Sequence, residues 1–160
     1  MSNEGAAPAS GWARQPDHVG ITVSDLDRSV DFWTRLTGGK LLTRRLLDGA
    51  HIGELVGYAG QRIEIALVEL PGELVLELLR YVDRDEDAYE PGTAHPGNVH
   101  MCFLVEDLHW SWAHAIECGA EPASDEPVRV PVGPQTGAYV AYLQTPDGVA
   151  IELRQPPPDQ

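Results

Sequence analysis

One feature limits what this chain can fold into more than any other: it repeats itself. His18-Val-Gly-Ile-Thr-Val-Ser-Asp-Leu-Asp-Arg-Ser aligns without a gap on His100-Met-Cys-Phe-Leu-Val-Glu-Asp-Leu-His-Trp-Ser, and His18/His100, Val23/Val105, Asp25/Asp107, Leu26/Leu108 and Ser29/Ser111 are identical pairs. Self-similarity of this kind marks one supersecondary unit used twice, neither copy able to bury its apolar face alone. Each copy opens on a run of period two, Val19, Ile21 and Val23 in the first and Met101, Phe103 and Val105 in the second, which reads as a strand with one buried face. Asp-Leu follows, then helical spacing: Val30, Trp33 and Leu36 before Gly38, and Trp112, Ala115 and Ile116 before Gly119. A carboxylate can cap the first turn of each helix, and a glycine can end the last.

Three strand-like runs come after each helix. In the first half they are about 40–47 or 51–57, then 62–69 and 74–80; in the second, about 127–131, 138–143 and 149–154. Pro71-Gly72 and Pro146-Asp147-Gly148 turn the last hairpins. The expected class is therefore α+β, with two tandem βαβββ modules, about 16–82 and 97–155, forming an open cup-like mixed β-sheet. A chain of 160 residues suits one such domain. Residues 1–15 and 156–160 are small, polar or proline-rich and read as tails.

Charge narrows the partners. Eleven Lys and Arg stand against 25 Asp and Glu, for a net charge of −14. Neither nucleic acid nor an anionic membrane surface suits so acidic a chain, because phosphate binding needs a basic face. No run approaches the roughly 18 apolar residues of a membrane span. Met1 to Ser10 has neither the basic nor the apolar part of a secretory signal, so the expected location is cytoplasmic. Cys102, inside an apolar run, and Cys118, before Gly119, form no CxxC and read as buried, reduced thiols.

The closing strands of the halves also correspond: Leu74-Val-Leu-Glu77-Leu-Leu and Gly148-Val-Ala-Ile-Glu152-Leu each set one glutamate among aliphatics. A carboxylate on such a background is costly unless a cation compensates. Arg80, near Glu77, has the opposite strand parity. If the modules pack side by side, His18, Glu77, His100 and Glu152 converge from four strands on the concave face. Two imidazoles and two carboxylates suit one divalent ion, Ni, Co, Zn, Mn, Fe(II) or Mg, rather than a thiolate-seeking one. Any one of the four alone reads more readily as a hydrogen-bonded structural residue than as a ligand. Their recurrence at matched positions carries the metal reading.

In the segments Asp17-His18-Val-Gly-Ile-Thr-Val-Ser-Asp-Leu-Asp-Arg-Ser, Gly97-Asn-Val-His100 and Pro146-Asp-Gly-Val-Ala-Ile-Glu152-Leu, the chain resembles the vicinal oxygen chelate (glyoxalase / bleomycin resistance / dioxygenase) superfamily, over about residues 16–155. The resemblance implies paired modules around a metal. With Glu77 as a fourth ligand, only two positions of a six-coordinate ion stay open, which suits an isomerase or epimerase that enolises a small carbonyl substrate by α-proton abstraction. Glyoxalase I and methylmalonyl-CoA epimerase are members of that kind. The resemblance further implies Glu152 and Glu54 as catalytic carboxylates. Glu54 falls where the epimerases carry a glutamate, the alternative being a surface carboxylate on an edge strand; His51 beside it reads as a surface residue. Relatives commonly pair, so a homodimer is expected.

Two alternatives stay open: an extradiol-type ring-cleaving dioxygenase in which Glu77 does not bind the metal, and a non-catalytic small-molecule-binding resistance protein. The scarcity of cations favours an uncharged cyclic ketone of the 2-epi-5-epi-valiolone type over glutathione or coenzyme A derivatives. A composition low in lysine and rich in Ala, Gly, Pro and Arg fits secondary metabolism in a GC-rich bacterium. Tyr58, Tyr81, Tyr89, Tyr139 and Tyr142 either line the cup or pack the core.

Overall fold

The matched positions of the repeat do matched work in the computed structural model, which describes residues 15–84 and 92–158. The first half runs β1 (Val19–Thr22), α1 (Leu26–Thr37), β2 (Lys40–Leu47), α2 (Ala50–Val56), β3 (Arg62–Glu69) and β4 (Val75–Val82). The second runs β5 (His100–Leu104), α3 (Leu108–Cys118), β6 (Glu121–Pro122), β7 (Val128–Arg129), β8 (Tyr139–Gln144) and β9 (Ala150–Gln155). Asp25 caps α1 by accepting the Arg28 N–H at 3.0 Å, and Asp107 caps α3 by accepting that of Trp110 at 3.0 Å. Gly38 and Gly119 end these helices at φ of 70° and 108°, where a side chain would be strained.

Each half makes its own mixed sheet, in order β1-β4-β3-β2 for the first and β5-β9-β8-β6 for the second, with β7 also on β8. The first strand of each half pairs in parallel with the last strand of the same half. Two details depart from the sequence reading. Residues 51–57 belong to a helix, not a strand, because Gly49 and Gly57 bound a segment in which Ile52 and Val56, one turn apart, pack on Ile63 and Ile65. The run 127–131 keeps only Val128 and Arg129 as strand. Pro122, Pro127 and Pro131 supply no N–H, so the outer strand of the second sheet survives in pieces. Tyr89 and residues 1–14 and 159–160 lie outside the described residues.

α1 and α3 pack between the two sheets. Ile21, Val23, Ala66, Val68, Leu76 and Leu78 from the first sheet, Ala141, Leu143, Ile151 and Leu153 from the second, and Leu26, Phe32, Trp33, Leu108 and Ala115 from the helices share one core. α1 packs on β3 and β4, α3 on β8 and β9, and the two helices on each other. The other face of each sheet is turned away from this core. The Pro146-Asp147-Gly148 turn does more than close a hairpin. Asp147, with a side chain only 6% exposed, accepts hydrogen bonds from the Ser24 N–H at 3.0 Å, Ser24 Oγ at 2.9 Å, Ser29 Oγ at 2.5 Å and Arg28 Nη2 at 3.2 Å, and so fastens the second module to the start of α1.

Cys118 is buried, as its sequence neighbourhood suggests, but Cys102 is exposed. Met101 and Phe103 take the core side of β5, and the strand period sends Cys102 to the other. Among the described residues no helix is long and apolar enough to cross a membrane.

Candidate functional site

On the outward face of the first sheet, strand register sets Gly20, Glu77, Leu67 and Thr43 side by side. On the second it sets Cys102, Glu152 and Tyr142 side by side. In both halves the histidine at the start of the first strand reaches the glutamate of the last: His18 Nε2 lies 3.2 Å from Glu77 Oε2, and His100 Nε2 lies 3.1 Å from Glu152 Oε2. The glutamates are largely buried and the histidines partly open. Neighbouring ligands on an ion with bonds of 2.0–2.2 Å sit about 3 Å apart, so each pair has the spacing and the borderline N and O donors that a divalent cation takes.

The surroundings orient each pair. His18 Nδ1 meets Asp17 Oδ2 at 2.7 Å, which fixes the ring with Nε2 toward Glu77. That hydrogen bond chiefly, helped by the charges of Glu77 and Asp17 and opposed by burial, raises the pKa of His18. In the second half, Tyr142 Oη donates to Glu152 Oε2 at 2.8 Å and lies 3.5 Å from His100 Nε2, its ring edge-on to the imidazole at 5.3 Å. Burial, then the bond to Glu152, push the phenol up to about 12, so it keeps its proton and acts as a donor.

Tyr142 is the site residue that the sequence did not single out from the other tyrosines. Its signal was parity: Ala141 and Leu143 face the core, and the turn at Pro146-Gly148 folds Tyr142 directly opposite Glu152. Tyr139 packs on the core instead. Tyr58 and Tyr81 meet edge-on at the far end of the first sheet, with the Arg84 guanidinium 4.0 Å above Tyr58.

The structure corrects one expectation about the four ligand candidates. They do not converge within the chain but stand as two pairs, and among the described residues no three His, Cys, Asp or Glu side chains gather as a metal would require. The physical reason is that the modules pack through α1 and α3, which leaves each pair on the face of its own sheet that is turned away from the shared core. Glu54 sits on the exposed side of α2 rather than on an edge strand, and His51 is exposed beside it. α2 covers the end of the same outward face that carries Glu77, through Ile63, Ile65, Leu79 and Tyr81.

Residues 15–153 match the Glyoxalase/Bleomycin resistance protein/Dioxygenase superfamily. The chain belongs to this superfamily. This glyoxalase-superfamily chain is 30% identical over 142 residues to a 2-epi-5-epi-valiolone epimerase from Actinomyces, covering 85% of this chain and 76% of the relative. It is 31% identical over 139 residues to the lactoylglutathione lyase of Escherichia coli O157:H7, covering 85% and 88%. A glyoxalase family protein from Bacillus cereus shares the fold, with a TM-score of 0.78 at 24% identity over 94% of this chain and 99% of that one. An epimerase and a lyase among the relatives support an enzyme of isomerase or lyase type.

Proposed function

We propose that this chain is a divalent-metal-dependent isomerase or epimerase that enolises a small carbonyl substrate, and that its working site joins the His18/Glu77 face of one copy to the His100/Glu152 face of another. One observation carries this reading: two matched His–Glu pairs, each at ligand spacing, on separate sheets of the same chain. One pair supplies two donors, too few for a tight site, and a second copy supplies the other two. A closed two-fold dimer then completes two identical sites. Leu104, 65% exposed, and Val128, 56% exposed, stand on the same face as Glu152 and favour its burial against a partner.

A divalent cation held by His18, Glu77, His100 and Glu152 would supply Lewis acidity, stabilising negative charge on a carbonyl oxygen as an α-proton leaves. The protein's own groups do the rest. Asp17 holds the His18 ring by its Nδ1, and Tyr142 steadies Glu152 through Oε2. Leu67, Leu79 and Ile65, on the Glu77 face, exclude water from the reacting carbon. Glu152 is the candidate to take a proton on one side of that carbon, and Glu54 on α2 the candidate on the other.

The test is metal analysis joined to a solvent-deuterium exchange screen over α-hydroxy ketones, thioesters and hemithioacetals. The reading expects exchange that disappears on chelation and in His100→Ala. Oxygen consumption with catechols, or exchange indifferent to metal removal, would contradict it.

A further inference from the structure

The two halves agree at histidine and glutamate and differ beside them. Opposite Glu77 stands Leu67, whereas opposite Glu152 stands Tyr142. Two residues beyond Glu77 on the same face is Leu79; two beyond Glu152 is Arg154. The four ligand candidates are what the halves share, and Tyr142 already serves one of them through Glu152. Arg154 is carried by one half only and is not among them.

Arg154 is an odd residue to find in its place. Register puts it in a row with Leu104 on one side and Val140, then Val128, on the other, an aliphatic setting for a guanidinium. Arg28, Arg35, Lys40, Arg44, Arg62 and Arg80 each have a carboxylate partner. Arg45 and Arg129 are exposed to water. Arg154 is half-buried, and its Nε is fully buried with no hydrogen-bond partner among the described residues. A buried donor left unmet is destabilising, and native structures seldom keep one without a use. Glu152 does not answer it, being held by Tyr142 and His100.

We propose that Arg154 is the anion anchor of the substrate site, selecting carbonyl compounds that bear a phosphate or carboxylate a few bonds from the reacting carbon. Two residues along a strand span about 7 Å, so an oxyanion on the guanidinium and a carbonyl oxygen beside His100 and Glu152 belong to one short molecule. A guanidinium meets such an oxyanion with paired, charge-assisted hydrogen bonds. An acidic chain poor in cations suggested an uncharged substrate; a single well-placed arginine removes that objection. The proposal rests on reading His100 and Glu152 as flanking the reacting carbonyl.

The experiment compares dihydroxyacetone phosphate with dihydroxyacetone by calorimetric titration of the metal-loaded protein, in wild type, Arg154→Met and Arg154→Gln. Wild type should prefer the phosphate ester, and both variants should lose that preference by roughly 10- to 100-fold, the range for a charge-assisted hydrogen bond. Circular dichroism and metal content report whether each variant is folded and loaded, and the glutamine variant keeps a polar group should methionine not be tolerated. Equal preference in wild type and in a folded variant, or no binding of the phosphate ester by wild type, overturns the proposal. Failure of the underlying metal reading shows separately, as absent metal uptake in the wild-type protein.

Discussion

Tyr142 Oη donates a proton to Glu152 Oε2 at 2.8 Å across the β8–β9 pair. With its pKa pushed up to about 12, the phenol stays a donor across the neutral range and holds the carboxylate in the pose that faces His100. Tyr142→Phe keeps the ring against the imidazole and removes only that bond. Metal affinity should fall roughly 10-fold, as when other outer partners of a metal ligand are lost, while folding stability changes by no more than about 1 kcal/mol. Chelator-competition titration measures the first, urea unfolding the second. Unchanged affinity would strip Tyr142 of its role.

A second prediction concerns assembly of the two halves. Asp147 gathers four hydrogen bonds from Ser24, Arg28 and Ser29 at a position almost closed to solvent. Asp147→Ala leaves those donors without their acceptor and should cost roughly 2–3 kcal/mol of stability. Asp147→Asn retains an acceptor and should recover part. Urea denaturation of both decides the matter; a loss below about 0.5 kcal/mol, the scatter of ordinary surface substitutions, would mean that the core alone aligns the modules.

These two residues mark where the sequence stopped being readable. The repeat, the strand-helix order and the four His and Glu positions were legible because identical residues recurred on identical periods, and a glutamate between aliphatics has few uses. Asp147 was visible only as a turn residue, since its partners sit in the other module and no local pattern announces them. Tyr142 and Arg154 have no counterpart in the first half, so the symmetry that exposed the four His and Glu positions hid them. The helical state of 50–56 was settled by two glycines and by packing on Ile63 and Ile65, against a run that alternates acceptably as a strand. Which faces of the modules meet depends on helix packing, and that decided whether the four ligand candidates met in one chain or stood as two pairs.

Glu54 carries a third prediction. Glu54→Gln preserves shape and should leave metal content intact, while net epimerisation falls about 10²- to 10⁴-fold, the usual contribution of a general base. Steady-state kinetics with a substrate found in the exchange screen measures it. A wild-type rate would make Glu54 a surface carboxylate and leave proton transfer to Glu152 on one face.

The central claim is that a site is built from the His18/Glu77 face of one copy and the His100/Glu152 face of another, and subunit mixing tests it most directly. His18→Ala and His100→Ala are purified separately, then unfolded and refolded together, and bound metal is measured before and after. Alone, each variant should bind little. After mixing, hybrid dimers should regain one intact site, contributed by His18 and Glu77 of one chain with His100 and Glu152 of the other, so metal and deuterium exchange return together. If mixing restores neither while wild type refolded in the same way recovers both, the ligands do not meet across chains and the shared site is wrong.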